Sequence, residues 1–252
     1  MPIFGRTGLD SAMSHGLLSV VQGCFKRAQD RITRRRRDYP GCQLAELLSQ
    51  ACALGIPSGL RLDIGGGGGQ YRHILENGQS HVVGLDRFVG DLVDLIGDAD
   101  HLPIQTGVAS VAALVEVLEH LVDPARAMAE CYRVLQPGGV VVITTPQYWH
   151  VHKHPGDYYR FTDDGLRMLC RRAGFEVLDC WSRGGPVLIL FHVIRVNLSE
   201  RWRPLFVVLL YWLAERMDRL FYDPRPSGTH YDALGWSVLA RKPLNSNEAE
   251  VS

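Results

Sequence analysis

Net charge is the first thing this sequence lacks, since 27 Lys and Arg side chains balance 27 Asp and Glu side chains. A chain without a positive excess does not produce the overall field that draws many proteins to nucleic acids. Its six cysteines are scattered and form no C-x-x-C pair or framework spacing. Cysteines used in this way are typical of reduced thiols. We therefore predict a cytoplasmic protein that has no nucleic-acid partner.

Long apolar runs are also missing. No stretch of about 18 or more apolar residues occurs, which is the lower limit for a membrane-spanning helix. The opening segment, MPIFGRTGLDSAMSHGLLSV, lacks the basic and then apolar regions of a secretory signal. We expect neither a spanning helix nor a signal peptide. Hydrophobic residues make up 46% of the chain, which is enough for a full core.

The most informative pattern is a run of five glycines, 65–69, directly after the apolar segment 60–64. A short β-type segment that ends in glycines and continues into a helix-like stretch, 70–76, predicts a strand, a tight turn and a helix start. Glycine has no Cβ, so a ligand can approach the backbone closely. The helix N-terminus behind the turn offers free N–H groups. We predict a nucleotide-like cofactor at the carboxyl end of this strand.

Two common nucleotide-binding patterns are absent from the glycine run. The dinucleotide pattern G-x-G-x-x-G would need a glycine at position 70, 71 or 72, and the chain has none there. The phosphate-loop pattern needs a lysine after the run, which is also missing. The tighter spacing G-x-G-x-G fits Gly65, Gly67 and Gly69, with Asp63 two residues ahead. The spacing therefore argues against a nicotinamide or nucleoside-triphosphate site.

A second carboxylate follows the next apolar segment, 81–85, at Asp86. A carboxylate at the end of the second strand of such a unit can accept hydrogen bonds from both ribose hydroxyls of a cofactor. Enzymes that bind NAD also have a carboxylate at this position. Asp86 by itself therefore does not separate one cofactor from another.

Four ordered segments resemble the class I S-adenosylmethionine (SAM)-dependent methyltransferases, in particular their type-11 group. They are 62–69, 97–104, 117–124 and 133–145. The resemblance covers about 60–175 and resumes at 235–242. It puts Gly66 and Gly68 at variable positions of the family's first motif, and it implies SAM as the cofactor.

The resemblance also implies a role for several residues. Asp63 would lie beneath the glycine loop, Asp86 would hold the ribose, Asp98 would hold the adenine amino group, and Glu116 would border the methionine end. The full implied cofactor-binding set is Asp63, Gly65, Gly67, Gly69, Asp86, Arg87, Asp98, Ala99 and Glu116.

Strand-like and helix-like segments alternate from residue 60 onward, which predicts βαβ units and a parallel sheet. We expect strands at 60–64, 81–85, 93–96, 109–114, 140–145, 175–181 and 236–241. We expect helices at 43–54, 124–134 and 163–173, the last two with Asp123 and Thr162 as N-caps. The resemblance implies that the last two strands are antiparallel. The predicted fold is α/β: a Rossmann-like, seven-stranded, mostly parallel sheet with an antiparallel last strand, helices on both faces and a helical insertion before that strand.

The chain divides into four predicted parts. These are an N-terminal helical or irregular extension at 1–41, a SAM-binding Rossmann-like core at 42–181, an apolar insertion at 182–234, and the last strand with its tail at 235–252. The insertion has two apolar blocks, 187–196 and 205–214, each too short to span a bilayer. A helical cap over the substrate face is the favoured interpretation. The alternative is an amphipathic surface that touches a membrane or a second subunit.

The segment 146–162, which follows the fifth predicted strand, is rich in histidine and aromatic residues. We predict a general base among His150, His152 and His154, with His120 as a weaker candidate. Substrate contact or a surface position is the alternative for each. The spacing i, i+2, i+4 lacks the H-E-x-x-H arrangement and has no matched carboxylate, so we predict no metal site.

The fourth predicted strand is not followed by the N/D-P-P-Y/F motif of many DNA and glutamine N-methyltransferases; the segment there is 114–117. With no basic face either, we predict a small-molecule substrate, such as a sugar, a polyketide or a lipid-linked acceptor. Oxygen is the favoured acceptor atom. Peripheral membrane contact through 187–214 and a homodimer are further expectations. The alternatives are a SAM-fold enzyme with non-methylating chemistry, a nicotinamide oxidoreductase, and a non-catalytic membrane-associated or partner-binding protein.

Overall fold

A seven-stranded sheet forms the centre of the protein. The computed structural model describes residues 44–67, 69–76, 81–153, 155–199, 210, 213–214, 216–218, 220 and 232–244. The strands are β1 (Leu60–Ile64), β2 (Val82–Asp86), β3 (Leu95–Ile96), β4 (Ala109–Val115), β5 (Leu135–Pro146), β6 (Glu176–Arg183) and β7 (Gly235–Arg241). Their order across the sheet is β3-β2-β1-β4-β5-β7-β6. The strands from β3 to β5 are parallel, and β7 runs antiparallel to both of its neighbours. The predicted fold class is confirmed.

Helices cover both faces of this sheet. They are α1 (44–53), α2 (Arg72–Glu76), α3 (Pro124–Val134), α4 (Asp163–Arg172) and α5 (Pro186–Asn197), with a 3-10 helix at Leu118–His120. On one face, Leu47 of α1 and Leu75 of α2 pack with Val111 of β4. On the other, Met128 of α3 and Leu166 of α4 belong to the cluster around the opposite side of β4. Every residue of β4 is buried, as expected for a parallel strand that is covered on both faces.

The predicted caps of α3 and α4 are confirmed. The Asp123 carboxylate accepts a hydrogen bond of 3.1 Å from the backbone N–H of Arg126, and proline occupies the first turn of α3. The Thr162 hydroxyl accepts one of 3.1 Å from the backbone N–H of Gly165. Each cap satisfies one of the free N–H groups at a helix start. Helix α3 follows the carboxyl end of β4, and helix α4 follows the carboxyl end of β5. The two caps therefore help to fix the loops at the edge of the sheet where the cofactor is expected.

The prediction that β5 begins at 140 is wrong. The strand begins at Leu135, because Leu135 pairs with Ala109 before the register shifts to pair Val111 with Val140. Gly138, with φ at 80°, takes up this irregularity. Its N–H also donates to the carbonyl of Lys242. The Pro-Gly-Gly segment is therefore an irregularity inside the strand, not a turn before it.

The insertion is partly described. The first apolar block is helical, since α5 spans it, while β6 continues to Arg183, two residues beyond the predicted boundary at 181. Residues 210, 213–214, 216–218 and 220 are helical as well. Leu188, Phe191 and Ala214 pack together, whereas Leu190 and Val193 are 61% and 47% exposed. The cap and the membrane or dimer surface both stay predictions, as does the division into four parts. Residues 1–41 and most of 205–214 lie outside the described residues.

Within the described part of the chain, no helix combines the length and the apolar character needed to cross a membrane.

Candidate functional site

The glycine loop leaves the carboxyl end of β1 and uses its glycines at alternate positions. Gly65, Gly67 and Gly69 have φ of 73°, 53° and 62°. This left-handed region is costly for residues that carry a Cβ. The spacing G-x-G-x-G therefore marks the three positions where the backbone itself requires glycine. Gly68 lies outside the described residues.

Asp63 lies directly beneath this loop, at the end of β1, and its side chain is buried. A Cβ added to Gly66 would lie 2.5 Å from the carboxyl carbon of Asp63, so the loop backbone rests on the carboxylate. Gly66 therefore has a steric requirement that the family resemblance, which puts it at a variable position, does not reveal. The close approach to Asp63 exists only after folding, so glycine spacing alone gives no signal of it.

The environment of Asp63 favours its neutral form. Burial, opposed in part by the Arg72 guanidinium and reinforced by the charge of Asp86, raises the pKa of Asp63 to about 6. Among the described residues, Oδ1 of Asp63 has no hydrogen-bond partner. A buried carboxylate oxygen without a donor is costly to keep in a fold. Its position under a nucleotide-type loop is consistent with a binding role.

Asp86 ends β2 and ties the glycine loop to the neighbouring strand. Oδ2 accepts a hydrogen bond of 3.0 Å from the backbone N–H of Gly67, and Oδ1 accepts one of 2.9 Å from Phe88. A carboxylate has about four acceptor positions. Two of these positions are used here, so hydroxyl groups of a ligand can still donate to Asp86.

Asp98 and Arg87 form an ion pair across the loops that follow β3 and β2. The Arg87 Nη2 atom lies 3.1 Å from Oδ1 of Asp98, and both side chains are about half exposed. Such exposed pairs contribute little to folding stability. Ala99, the next residue, is buried. The pair therefore leaves Asp98 at a loop edge that a ligand can reach.

Glu116 follows β4 and adopts a strained backbone, with φ at 57°. Its Oε1 atom accepts a hydrogen bond of 3.0 Å from the hydroxyl of Thr144 and forms an ion pair of 2.7 Å with Nη2 of Arg183. The backbone N–H of Glu116 donates to the carbonyl of Thr144. Arg183 comes from β6, far along the chain, and the sequence analysis did not find it. Because β6 reaches this position only through β7, no local pattern could have shown the contact.

A cavity of about 590 Å³, open to solvent, joins these groups. Of the predicted cofactor-binding residues, those that line the cavity are Gly65, Asp86, Arg87, Asp98, Ala99 and Glu116. Asp63, Gly67 and Gly69 are not part of the wall. Asp63 lies beneath the loop. The structure thus brings the set together around one opening, with His120 in the same wall.

The predicted histidines separate into two groups. The Nδ1 atom of His150 lies 3.4 Å from Nε2 of His192, and the Trp149 ring stacks on His192 at 4.1 Å. Burial, followed by the charge of His152, lowers the pKa of His150. His152 faces His120 instead, with ring centroids 4.8 Å apart in an edge-on arrangement. His154 lies outside the described residues.

Glu119, in the 3-10 helix beside His120, is a site residue that the sequence analysis missed. Its side chain is fully buried. Oε2 accepts a hydrogen bond of 3.4 Å from the Thr145 hydroxyl, while Oε1 has no hydrogen-bond partner among the described residues. Burial, followed by the charge of Glu116, raises the pKa of Glu119 well above its ordinary value. A signal was available in the sequence, since Glu116 and Glu119 stand three residues apart, about one helical turn.

Asp157 and Arg160 fix the histidine-rich segment. Both Asp157 oxygens accept from the Arg160 guanidinium, and Oδ2 also accepts a hydrogen bond of 3.0 Å from the backbone N–H of His152. Arg160 holds the pKa of Asp157 well below its ordinary value, and the His152 N–H adds to this. The Arg160 Nη2 atom also approaches the carbonyls of Trp149 and His150. These contacts hold the segment over the carboxyl edge of β5.

Residues 62–143 match the family model described as a methyltransferase domain. The matched segment includes the glycine loop with Asp63 beneath it, and the carboxylates Asp86, Asp98 and Glu116 of the cavity wall. Residues 62–143 therefore belong to a class I, SAM-dependent methyltransferase domain. SAM is the cofactor of this family.

Three relatives illustrate the likeness of this methyltransferase domain. A "Probable S-adenosylmethionine-dependent methyltransferase" of Mycolicibacterium smegmatis is 34% identical over 91 residues, which are 33% of this chain and 35% of the relative. A ubiquinone biosynthesis O-methyltransferase of Psychrobacter arcticus is 27% identical over 122 residues, 42% of this chain and 46% of that protein. The chain thus spans less than half the length of these curated relatives. The crystal structure of a candidate methyltransferase of Bacillus halodurans C-125 has a TM-score of 0.52 at 18% identity, over 79% of this chain and 98% of that one.

The residues of this methyltransferase domain fit SAM. Gly65 of the glycine loop lines the cavity and has no side chain, which leaves bare backbone for a ligand to contact. Oδ1 of Asp63 is buried without a donor among the described residues. Asp86 keeps acceptor positions beyond the two it uses for the loop. The nine predicted cofactor-binding residues keep their proposed roles as predictions.

Proposed function

We propose that the protein is a methyltransferase that moves the methyl group of SAM to a hydroxyl oxygen of a small-molecule acceptor. The observation that carries this proposal is a cavity whose wall contains Asp86 and Asp98 together with Glu116 and His120. A cofactor held by the first pair would present its methyl group toward the second. Donor and acceptor can therefore meet in one opening.

Asp86 would hold the ribose of SAM, Asp98 the adenine, and Gly65 with Glu116 the methionine part. When bound, SAM supplies a methyl group on a positively charged sulfur that leaves as a neutral thioether. The chain's own task is alignment and the exclusion of water, for which fixed positioning can contribute about 7–11 kcal/mol of barrier lowering in the best cases. The Thr144 and Arg183 contacts to Glu116 support such fixed positioning.

An oxygen acceptor must lose its proton, and His120 is the described histidine best situated for that step. Its Nδ1 donates to the carbonyl of Gly156, so the neutral ring carries its lone pair on Nε2. His120 belongs to the cavity wall, whereas His150 and His152 do not. The weaker candidate of the sequence analysis thus becomes the stronger one. His150, which contacts His192 and Trp149, fits an acceptor-contact role better.

The acceptor class follows from chemistry and from a relative. A ubiquinone biosynthesis O-methyltransferase is among the curated relatives, which supports a hydroxyl oxygen as the acceptor atom. Exposed apolar side chains on α5, such as Leu190 and Val193, support an apolar or lipid-linked compound. Sugars and polyketides stay in the candidate set because both offer hydroxyl groups.

We also infer a cytoplasmic location. Cys131, Cys170 and Cys180 are buried free thiols, and burial raises the pKa of each to about 12. Thiols of this kind are inert and suit a reducing compartment. The same exposed side chains of α5 support a peripheral membrane contact or a homodimer through this helix.

The test is a transfer assay with isotopically labelled SAM across phenols, sugars, polyketides and lipid-linked hydroxyl compounds, each with an amine counterpart. We expect label in a hydroxyl compound, identified by mass spectrometry, and none in its amine counterpart. Asp86→Ala should abolish the transfer. Asp164→Ala, which removes an exposed carboxylate from the first turn of α4, should not. SAM binding without transfer to any acceptor, or transfer to amines in preference, would contradict the proposal.

A further inference from the structure

We propose that Glu119, His120 and His152 bind a divalent transition-metal cation at the acceptor end of the cavity. One carboxylate oxygen and one ring nitrogen from each histidine all lie within 4.8 Å of one another. The residues come from two separate segments, the 3-10 helix after β4 and the loop after β5. No spacing in the sequence joins them.

The carboxylate of Glu119 provides the first argument. Its side chain is fully buried, and Oε1 has no hydrogen-bond partner among the described residues. A buried charge normally requires a pair or a metal ion. Nε2 of His120 lies 3.8 Å from this Oε1 atom. A cation between these two atoms would satisfy both.

The orientation of the two imidazole rings provides the second argument. In metalloproteins, a ligating histidine usually donates its other ring N–H to a carbonyl or carboxylate. Nδ1 of His120 donates to the carbonyl of Gly156, and Nδ1 of His152 donates to the carbonyl of His150 at 3.2 Å. Asp157 supports the second ring, with Oδ2 3.5 Å from the same Nδ1 atom. Since carbonyls only accept, both rings carry their free lone pair on Nε2.

The donor set indicates the class of metal. Two imidazoles and one carboxylate are the three protein ligands of catalytic zinc sites such as His₂Glu, and of other first-row cations. Mg²⁺ and Ca²⁺ prefer oxygen ligands. Neighbouring ligand atoms of a tetrahedral zinc site lie about 3.3 Å apart, so small side-chain rotations would close the cluster. Three protein ligands leave at least one coordination position open.

The open position has a use that rests on the proposed methyl transfer. His120 belongs to the cavity wall, so an acceptor hydroxyl can reach the cation. A bound cation lowers the pKa of a coordinated hydroxyl, which then releases its proton to solvent water. In this arrangement Nε2 of His120 coordinates the cation and does not take the proton, so the metal-bound site replaces the base role proposed for His120 above, and His152 is likewise a ligand. The proposal departs from the sequence-based expectation of no metal, which considered only the spacing of His150, His152 and His154.

The experiment measures metal binding directly, without acceptor or turnover. The full chain is treated with a chelator, freed of it, and titrated with Co²⁺ while the visible absorption of bound cobalt is followed. Zn²⁺ affinity is then measured by competition. We expect one equivalent to bind to the wild type. Glu119→Gln and His152→Ala should each weaken binding about tenfold or more. His73→Ala, an exposed histidine of α2, should leave the affinity unchanged.

SAM affinity of every variant, measured by calorimetry, reports whether it is folded. His150→Ala separates the proposed site from a site on the three alternating histidines. If Glu119→Gln binds metal as the wild type does, or if His150→Ala weakens binding while Glu119→Gln does not, the proposal is overturned. Absence of binding in the wild type overturns it as well. Because none of these measurements needs methyl transfer, a failure here is distinct from a failure of the proposed function.

Discussion

Replacement of Gly66 by alanine tests the contact between the glycine loop and Asp63. The new Cβ would lie 2.5 Å from the carboxyl carbon and 2.6 Å from Oδ1 of Asp63. Atoms of this kind pack at about 3.5–4.0 Å, so one group must move by about 1 Å. Asp63 is paired on both sides, with Gly84 of β2 and Ala113 of β4, and cannot move easily. The loop must move instead.

We expect Gly66→Ala to lower the free energy of unfolding by about 1–3 kcal/mol, the usual cost of overpacking. The same movement would displace Gly67, whose N–H donates to Asp86. SAM affinity should therefore fall about tenfold or more, which corresponds to about 1.4 kcal/mol. Urea denaturation and calorimetry measure the two effects.

Two further variants isolate the clash. Gly107 has a positive φ of 72°, and a Cβ added there would meet no atom within 4 Å, so Gly107→Ala should lose stability through backbone strain alone while SAM affinity stays unchanged. In an Asp63→Ala background, Gly66→Ala should be neutral or stabilise by about 0.4–1 kcal/mol. A coupling energy of about 1 kcal/mol or more between the two positions is expected. A stable Gly66→Ala variant with no coupling to Asp63 would refute the reasoning.

The carboxylates of Asp63 and Asp157 allow pH-dependent tests. The pKa of Asp63 is raised to about 6 from 3.8, so the stability lost through its ionisation accumulates between about pH 4 and pH 6 and stays constant above pH 6. Asp63→Asn should exceed the wild type in unfolding free energy by up to about 3 kcal/mol at pH 8, and this difference should vanish as the pH falls toward 4. Urea titrations at both pH values check it, and a constant difference would contradict it. The pKa of Asp157 is lowered, chiefly by Arg160. Asp157→Asn should therefore cost about 1.5–3 kcal/mol at pH 7. That loss of unfolding free energy should shrink as the pH falls below about 4. A loss that stays the same at low pH would argue against the ion pair.

Local patterns in the sequence predict most of the sheet because each strand is bounded by residues with a clear conformational role. The glycines after β1 and the caps Asp123 and Thr162 fix boundaries through their own backbone or side-chain chemistry. The predicted start of β5 was wrong because the segment before residue 140 has no single conformational role. A Pro-Gly-Gly segment suits a turn and a strand irregularity equally well, and pairing with Ala109 and Lys242 decides between them.

The residues of the candidate site also divide into those that local sequence predicts and those whose role depends on the fold. Asp86 and Asp98 could be placed from sequence because each follows a strand of the parallel part of the sheet. Arg183 and Asp157 could not, since their roles depend on contacts with Glu116 and His152 that only the fold creates. The histidine spacing was likewise uninformative, because His150 and His152 turn to different partners.

The affinity of Asp86→Ala for SAM, measured by calorimetry beside the wild type and Asp164→Ala, tests the central claim most directly. Asp86 joins the glycine loop to β2 and borders the cavity. Hydrogen bonds to a charged group contribute about 1.5–3 kcal/mol each, so we predict a loss of at least about tenfold for Asp86→Ala and none for Asp164→Ala. Equal affinity of Asp86→Ala and the wild type would contradict the account.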